Sequence, residues 1–255
     1  MENLVVVLVA ARNGLNMGAV ARAMSNFGAM DLRVVTPYEK AFREARSAVG
    51  AEELLKNARE FDTVAEAIAD CSLVVGTTAV GNREVQHPLR SLEEAGEKIR
   101  EGMEKGKVAL LFGSEKWGLS NESLSYCHWL VRIPTREEHR SMNLGQAAAI
   151  CLYELRRTEK KKKDVTQRAR RKSTENTEKS SEKRATMETV ERITEAWLGA
   201  LRRSGYVAPR GDKLAEEKLR RMLRRFELEE RDAEVLLGMV RKILWKLGEK
   251  LRVES

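Results

Sequence analysis

Ser141-Met142-Asn143-Leu144-Gly145-Gln146-Ala147 is the point at which a polar loop turns into an apolar helix. A Ser or Asn ahead of an apolar-periodic run marks a helix start, because its side-chain oxygen can accept from N–H groups that the first turn leaves open. Leu144, Ala147, Ala148, Cys151, Leu152 and Leu155 follow at spacings of three and four, so one face of this helix is buried. Capping needs one polar residue, yet the loop places both Ser141 and Asn143 beside His139 and Arg140. The surplus polarity points to a ligand.

Two other stretches put polar and glycine residues at the end of an apolar run. Phe112-Gly113-Ser114-Glu115-Lys116-Trp117-Gly118-Leu119-Ser120 follows Val108–Leu111, and Asn16-Met17-Gly18-Ala19-Val20-Ala21-Arg22 follows Leu4–Ala10. Leu4–Ala10 is continuous and β-branched, as in a strand buried on both faces of a parallel sheet. Further strands are expected at Leu32–Val35, Cys71–Ala79, Val108–Phe112 and Trp129–Pro134. Helices are expected from Asn16 to a terminating Gly28, across the charged stretch Glu39–Arg59, at Ala65–Ile68, at Leu92–Met103 and after Ser120. This alternation predicts an α/β domain with a mostly parallel sheet and ligands at the strand C-terminal edge. No GxGxxG follows the first strand, which disfavours a Rossmann nucleotide site.

A chain of 255 residues, 42% of them hydrophobic, can bury one substantial core and a smaller one. No stretch approaches the roughly 20 apolar residues of a membrane helix, and the N-terminus does not resemble a secretory signal, so a soluble, cytoplasmic protein without membrane partners is expected. Cys71, Cys127 and Cys151 are far apart and form no CxxC pair, which predicts reduced, packed thiols and no metal site.

The net charge of +8 is unevenly placed: −1 over residues 1–157, +6 over 158–184 and +3 over 185–255. Residues 158–184, with Lys160-Lys161-Lys162-Lys163 and then Arg168, Arg170, Arg171 and Lys172, lack apolar periodicity and read as a basic flexible linker suited to a polyanion. Beyond it, Val190, Ile193, Trp197 and Leu201 predict one amphipathic helix. Leu219, Met222, Leu223 and Phe226 predict a second, and Val235, Leu236, Met239, Val240, Ile243, Leu244 and Leu247 a third. Such a bundle is marginal alone unless docked or paired. Arg220, Arg221, Arg224 and Arg225 recur on one side of the second helix as candidate phosphate contacts.

The three motif stretches, in this order, resemble the signature motifs of the SpoU/TrmH family of RNA 2'-O-methyltransferases in the SPOUT class, and within it the TrmJ type. The resemblance covers about the first 157 residues and rests on Asn16 with Arg22 six positions on, FGSEKWGLS and RSMNLGQA. It implies a deep trefoil knot, with a small C-terminal helical extension that binds RNA. It implies S-adenosylmethionine as methyl donor, a homodimer in which the first motif of one protomer faces the donor pocket of the other, and tRNA methylated on the ribose of a pyrimidine at position 32 of the anticodon loop. Another tRNA position, ribosomal RNA, or RNA binding without turnover are the alternatives.

The resemblance also implies site residues. Donor binding falls to Thr77, Thr78, Ala79, Gly113, Ser114, Glu115, Gly118, Leu119, Ile133, Ser141, Met142, Asn143 and Leu144, and catalysis to Arg22, Ser141 and Asn16. A guanidinium with a pKa above about 12 is a poor base. Arg22 is therefore expected to clamp a phosphate and stabilise a developing 2'-alkoxide, with Asn16 orienting its loop and Ser141 polarising the hydroxyl.

Overall fold

A computed structural model describes residues 1–36, 50–79, 86–169 and 183–253. Seven strands form one sheet: β1 (Leu4–Val9), β2 (Asp31–Val35), β3 (Arg59–Phe61), β4 (Cys71–Thr77), β5 (Leu89–Ser91), β6 (Lys107–Phe112) and β7 (Trp129–Arg132). Their order is β3-β2-β1-β6-β4-β7-β5, and every pairing is parallel. All six residues of β1 are buried, as its unbroken apolar run requires at a position covered on both faces.

Alternate residues of β1 enter different cores, because successive side chains of a strand point to opposite faces. Leu4, Val6 and Leu8 pack with helices α1 (Gly14–Phe27), α4 (Leu92–Lys105) and α6 (Leu144–Ala169). Val5, Val7 and Val9 belong to a second cluster with the short α3 (Val64–Ala67). The same cluster takes in α7 (Met187–Arg203), α8 (Asp212–Arg225) and α9 (Glu230–Val253) through Met187, Val190, Ile193, Leu198, Leu219, Leu223 and Leu237. The expected C-terminal bundle is thus docked on the sheet, and Glu188 N–H donates to the Ala69 carbonyl at 3.0 Å.

Several expectations need correction. Asn13, not Asn16, caps α1, accepting from Leu15 N and Asn16 N, while Gly28 ends that helix in the left-handed region at φ 74° as expected. The helix expected over Glu39–Arg59 lies partly outside the described residues. Within them only α2 (Glu52–Lys56) is helical, and Arg59 sits in β3, pairing at 2.9 Å with Asp31. The segment of residues 158–184 is open to a helical extension at its start, and α6 does run on to Ala169.

The arginines assigned to phosphate divide. Arg220 is 4% exposed and Arg224 1%. Arg220 bonds Glu191 at 2.7 Å and Ser125 Oγ at 3.2 Å, with its guanidinium 4.2 Å from the Tyr126 ring centroid. Arg224 bonds the other oxygen of Glu191 at 2.9 Å. These two are interior cations joining α7 and α8 to α5 (Asn121–Ser125), because a buried guanidinium requires a charge partner, which the half-buried Glu191 supplies to both. On α9 the expected stripe also divides: Val240 is buried, whereas Val235, Met239 and Ile243 are exposed, and Leu237, outside that stripe, is buried.

His128, just before β7, is fully buried and accepts from Val74 N at Nδ1, 3.1 Å away. Burial, and then the charges of Arg224 and Arg184, push its pKa down to about 3. A histidine held neutral in the fold is protonated in the unfolded chain first, so stability is intact above its ordinary pKa and is lost as pH falls toward the folded value. Between about pH 6 and 4 this one group removes about 1.4 kcal/mol per pH unit. Urea titrations across that range are expected to show the slope, and His128→Asn, which keeps an acceptor without a proton to gain, to reduce it.

Candidate active site

Three loops leave the C-terminal ends of β4, β6 and β7 side by side and enclose a cavity of about 320 Å³. Twelve of the thirteen residues expected to bind the donor line it: Thr77, Thr78, Ala79, Gly113, Ser114, Glu115, Gly118, Leu119, Ile133, Ser141, Met142 and Leu144. The exception is Asn143. Its Oδ1 accepts from Gly145 N at 2.9 Å and Gln146 N at 3.3 Å, so it is the residue that caps α6. Ser141 is left exposed on the cavity wall, where the surplus polarity of the loop belongs.

The loop after β6 folds back on itself. Gly118 N–H donates to the Ser114 carbonyl at 2.8 Å, and Gly118 has φ 67°. Across this hairpin-like turn a Cβ on Gly113 would lie 2.0 Å from Gly118 C and 2.1 Å from Leu119 N. Main chain therefore touches main chain where only glycine permits it. Thr77 Oγ1 donates to the Leu111 carbonyl and Thr78 N to that of Val131, which ties the loop after β4 to both neighbouring strands.

Glu115 and two asparagines join the three motifs. Asn143 Nδ2 donates to Asn16 Oδ1 at 2.8 Å, and Asn16 Nδ2 donates to Glu115 Oε1 at 3.1 Å. Arg12 N and Asn13 N also donate to the Glu115 carboxylate, each at 3.2 Å. Partial burial raises the Glu115 pKa, but these donors outweigh it and hold the group below the ordinary glutamate value. A carboxylate so occupied is a structural anion and not a proton acceptor. Asn16, expected to orient the Arg22 loop, is instead the middle of this relay.

Arg22 lies apart from the cavity. It is exposed on α1, it is not among the cavity-lining residues, and it makes no hydrogen bond or ion pair with another described residue. Leu15, Ala19, Arg22 and Asn26 form one exposed stripe of α1, and Ile150 and Tyr153 stand exposed on the neighbouring α6. Sequence reasoning also missed the cavity residues Phe112, Lys116, Trp117, Leu124, Val131, Thr135, Arg140 and Ala147. Lys116 and Trp117 stand inside the quoted second motif, and Arg140 was noted only as a neighbour of Ser141.

The SpoU rRNA methylase family model matches residues 3–153, which contain all three loops. The chain belongs to the SpoU methylase family. Among full-length relatives of this SpoU member, a tRNA (cytidine/uridine-2'-O-)-methyltransferase TrmJ from Klebsiella pneumoniae is 34% identical over 245 residues, 95% of this chain and 97% of the relative. An uncharacterized tRNA/rRNA methyltransferase from Haemophilus influenzae is 40% identical over 156 residues, 61% of this chain and 64% of the relative. The crystal structure of TrmJ from Z. mobilis superposes with a TM-score of 0.77 at 31% identity, covering 94% of this chain and 98% of that one. The fold is accordingly the α/β fold of the SPOUT methyltransferases with C-terminal helices.

S-adenosylmethionine is the methyl donor of this SpoU methyltransferase, and the cavity fits it. Phe112, Leu119, Val131, Ile133 and Leu144 give apolar walls for a purine, the glycine loop exposes peptide groups to its edge, and the volume is at the small-ligand scale. Burial pushes the pKa values of Cys71, Cys127 and Cys151 up to about 12, so none is a nucleophile at neutral pH. Among the described residues no cluster of three His, Cys, Asp or Glu side chains could hold a metal, and no helix is long and apolar enough to cross a membrane.

Proposed function

We propose that this protein is a homodimeric tRNA methyltransferase that methylates the 2'-hydroxyl of a pyrimidine ribose at position 32 of the anticodon loop. The single observation that carries the reading is the convergence of the second and third motif loops on one cavity, with the first motif tied to them through Asn16, which bonds Asn143 and Glu115. Full-length likeness to proteins named tRNA (cytidine/uridine-2'-O-)-methyltransferase supports tRNA as the RNA and a pyrimidine as the target.

The donor supplies a methyl group on a sulfonium centre; the ribose oxygen accepts it, the carbon–sulfur bond breaks to give a neutral thioether, and the hydroxyl proton leaves to solvent. The walls named above bind the donor, and Arg140 on the cavity rim offers a cation to its carboxylate. Ser141 accepts from or donates to the 2'-hydroxyl and sets its direction. Arg22 supplies positive charge to the developing alkoxide and the adjacent phosphate, acting on the cavity of the other protomer. The exposed stripe of Leu15, Ala19 and Arg22 beside Ile150 and Tyr153 supports this arrangement, since it places Arg22 within an apolar face suited to a second copy.

Nucleoside mass spectrometry of unmodified tRNA incubated with the protein and S-adenosylmethionine, followed by mapping, tests the reading. A 2'-O-methylpyrimidine at position 32 is expected. Methylation confined to ribosomal RNA, or none, would overturn it.

A further inference from the structure

The loop that precedes α1 is fixed residue by residue. Ala10 N donates to the Val35 carbonyl at 2.9 Å, Ala10 itself sits in the left-handed region at φ 53°, and Ala11 is fully buried. A non-glycine residue held at positive φ is strained, and it persists only where its surroundings over-determine it. Arg12 N and Asn13 N both donate to the Glu115 carboxylate at 3.2 Å, and the Asn13 side chain caps α1. The Arg12 side chain has no such task. It is exposed, and it makes no hydrogen bond or ion pair with another described residue.

That side chain lines a hollow of about 230 Å³ lying against the donor cavity. Residues 114–117 line both, so one turn of chain is the wall between them. Lys116 brings a second cation into that wall. Among the described residues lining the hollow the one carboxylate is Glu115, whose charge is already met by main-chain and asparagine donors. Asn13 and Asn16 bring the start of α1 to the hollow, and the helix dipole adds positive potential there. The balance favours an anion. The amides at this helix start are spent on Asn13 and Glu115, so direct contact with an anion falls to the Arg12 and Lys116 side chains.

The reaction next door supplies the anion. A ribose whose 2'-oxygen enters the donor cavity carries a phosphodiester on each side, and neither charge can follow it between apolar walls. Arg22 is assigned to one of these phosphates above, which leaves the second to be placed. We propose that this hollow is the subsite for an RNA backbone phosphate flanking the target ribose, gripped by the Arg12 guanidinium with Lys116 beside it. A planar fork suits two phosphate oxygens at once. The inference rests on the RNA methyltransferase reading above and adds a positioning residue that serves the cavity of its own chain. A phosphate held one turn from the donor sets the register of the ribose without reading the base, so Arg12 acts on affinity and not on pyrimidine identity.

The test measures binding of the wild type, Arg12→Ala and Arg12→Lys, across a salt series, to a stem-loop RNA containing the nucleotide that mapping of the wild-type reaction identifies. Arg12→Ala is expected to weaken binding by roughly 3- to 30-fold and to lower the slope of log affinity against log salt by about 1, and Arg12→Lys to recover the slope. Arg12 does not line the donor cavity, and its main-chain bond to Glu115 survives the substitution, so S-adenosylmethionine affinity by calorimetry is expected to stay within about twofold. Two further RNAs place the contact. In each, one phosphate flanking the target is replaced by an uncharged methylphosphonate, with deoxyribose on its 5' side to keep the linkage stable, and binding is read in place of turnover. One of the two is expected to cost the wild type a similar factor and to cost Arg12→Ala nothing further. An unchanged salt slope in Arg12→Ala, losses on both RNAs as large in Arg12→Ala as in the wild type, or a fall in donor affinity overturns the proposal. A wild type that methylates no RNA overturns this inference together with the reading beneath it.

Discussion

Replacing Arg22 with alanine is expected to lower kcat by about 10²- to 10³-fold, the loss seen when one charge-stabilising group is taken from a developing oxyanion. Donor affinity is expected to be unchanged, because Arg22 is not among the residues lining its own cavity. Lysine keeps the charge but not the planar fork, so Arg22→Lys recovers only part of the rate if two phosphate or alkoxide contacts are made together. The proposed arrangement across two protomers has a sharper consequence. Dimers mixed from Arg22→Ala and Ser141→Ala chains contain one site with both residues intact and one with neither. Random reassortment of two nearly inactive proteins is then expected to restore roughly a quarter of wild-type activity. If Arg22 served its own chain's cavity, mixing would restore nothing.

Gly113→Ala is the second large effect. The added Cβ would meet main-chain atoms of Gly118 and Leu119 at 2.0 to 2.4 Å, and no rotamer change relieves a contact between backbones. The two limbs of the turn must separate, at a cost of about 2–4 kcal/mol. For a chain of this size that lowers Tm by roughly 5–15 °C. Separation also displaces Ser114, Gly118 and Leu119 together, and donor affinity by calorimetry is expected to fall at least about tenfold. Gly118→Ala provides the contrast. A Cβ there has open space, and only the left-handed backbone at φ 67° resists it, so the loss is about 1 kcal/mol.

Much of this was legible in the chain itself, for a physical reason. Strands β1, β4 and β6 are buried on both faces, so each writes its position as an apolar core, Leu4–Val9, Leu73–Val75 and Val108–Phe112, and the site loops follow where those runs stop. Arg59–Phe61 and Leu89–Ser91 carry no such mark. They are three-residue edge strands, the first with exposed Arg59 and Glu60 and the second with exposed Leu89, recognisable only through the neighbours they pair with. The arginines of α8 failed differently. Arg220 and Arg225 are the same letter in the same helix, and what buries the first is Glu191 and Tyr126, residues 29 and 94 positions away along the chain. In the site, each motif announced its polar residues but not their division of labour. Whether Asn143 caps and Ser141 faces the cavity, or the reverse, depends on where α6 starts, and the middle position of Asn16 depends on three loops meeting. Trp117 was visible as a letter, but its exposure is a property of the folded turn.

The docking of α7 and α8 on the odd-numbered residues of β1 has a consequence for anyone who would take the protein apart. Charge divides the chain at residues 158–184, but packing does not, because Val5, Val7 and Val9 share one cluster with Val190, Ile193 and Leu223. Scissors placed at the basic segment would therefore strip one side of the sheet bare and strand Ser125 and Tyr126 without Arg220. A chimera that borrows the C-terminal helices of another member must carry their seat on α5 and β1 with them, or the graft will have nothing to sit on.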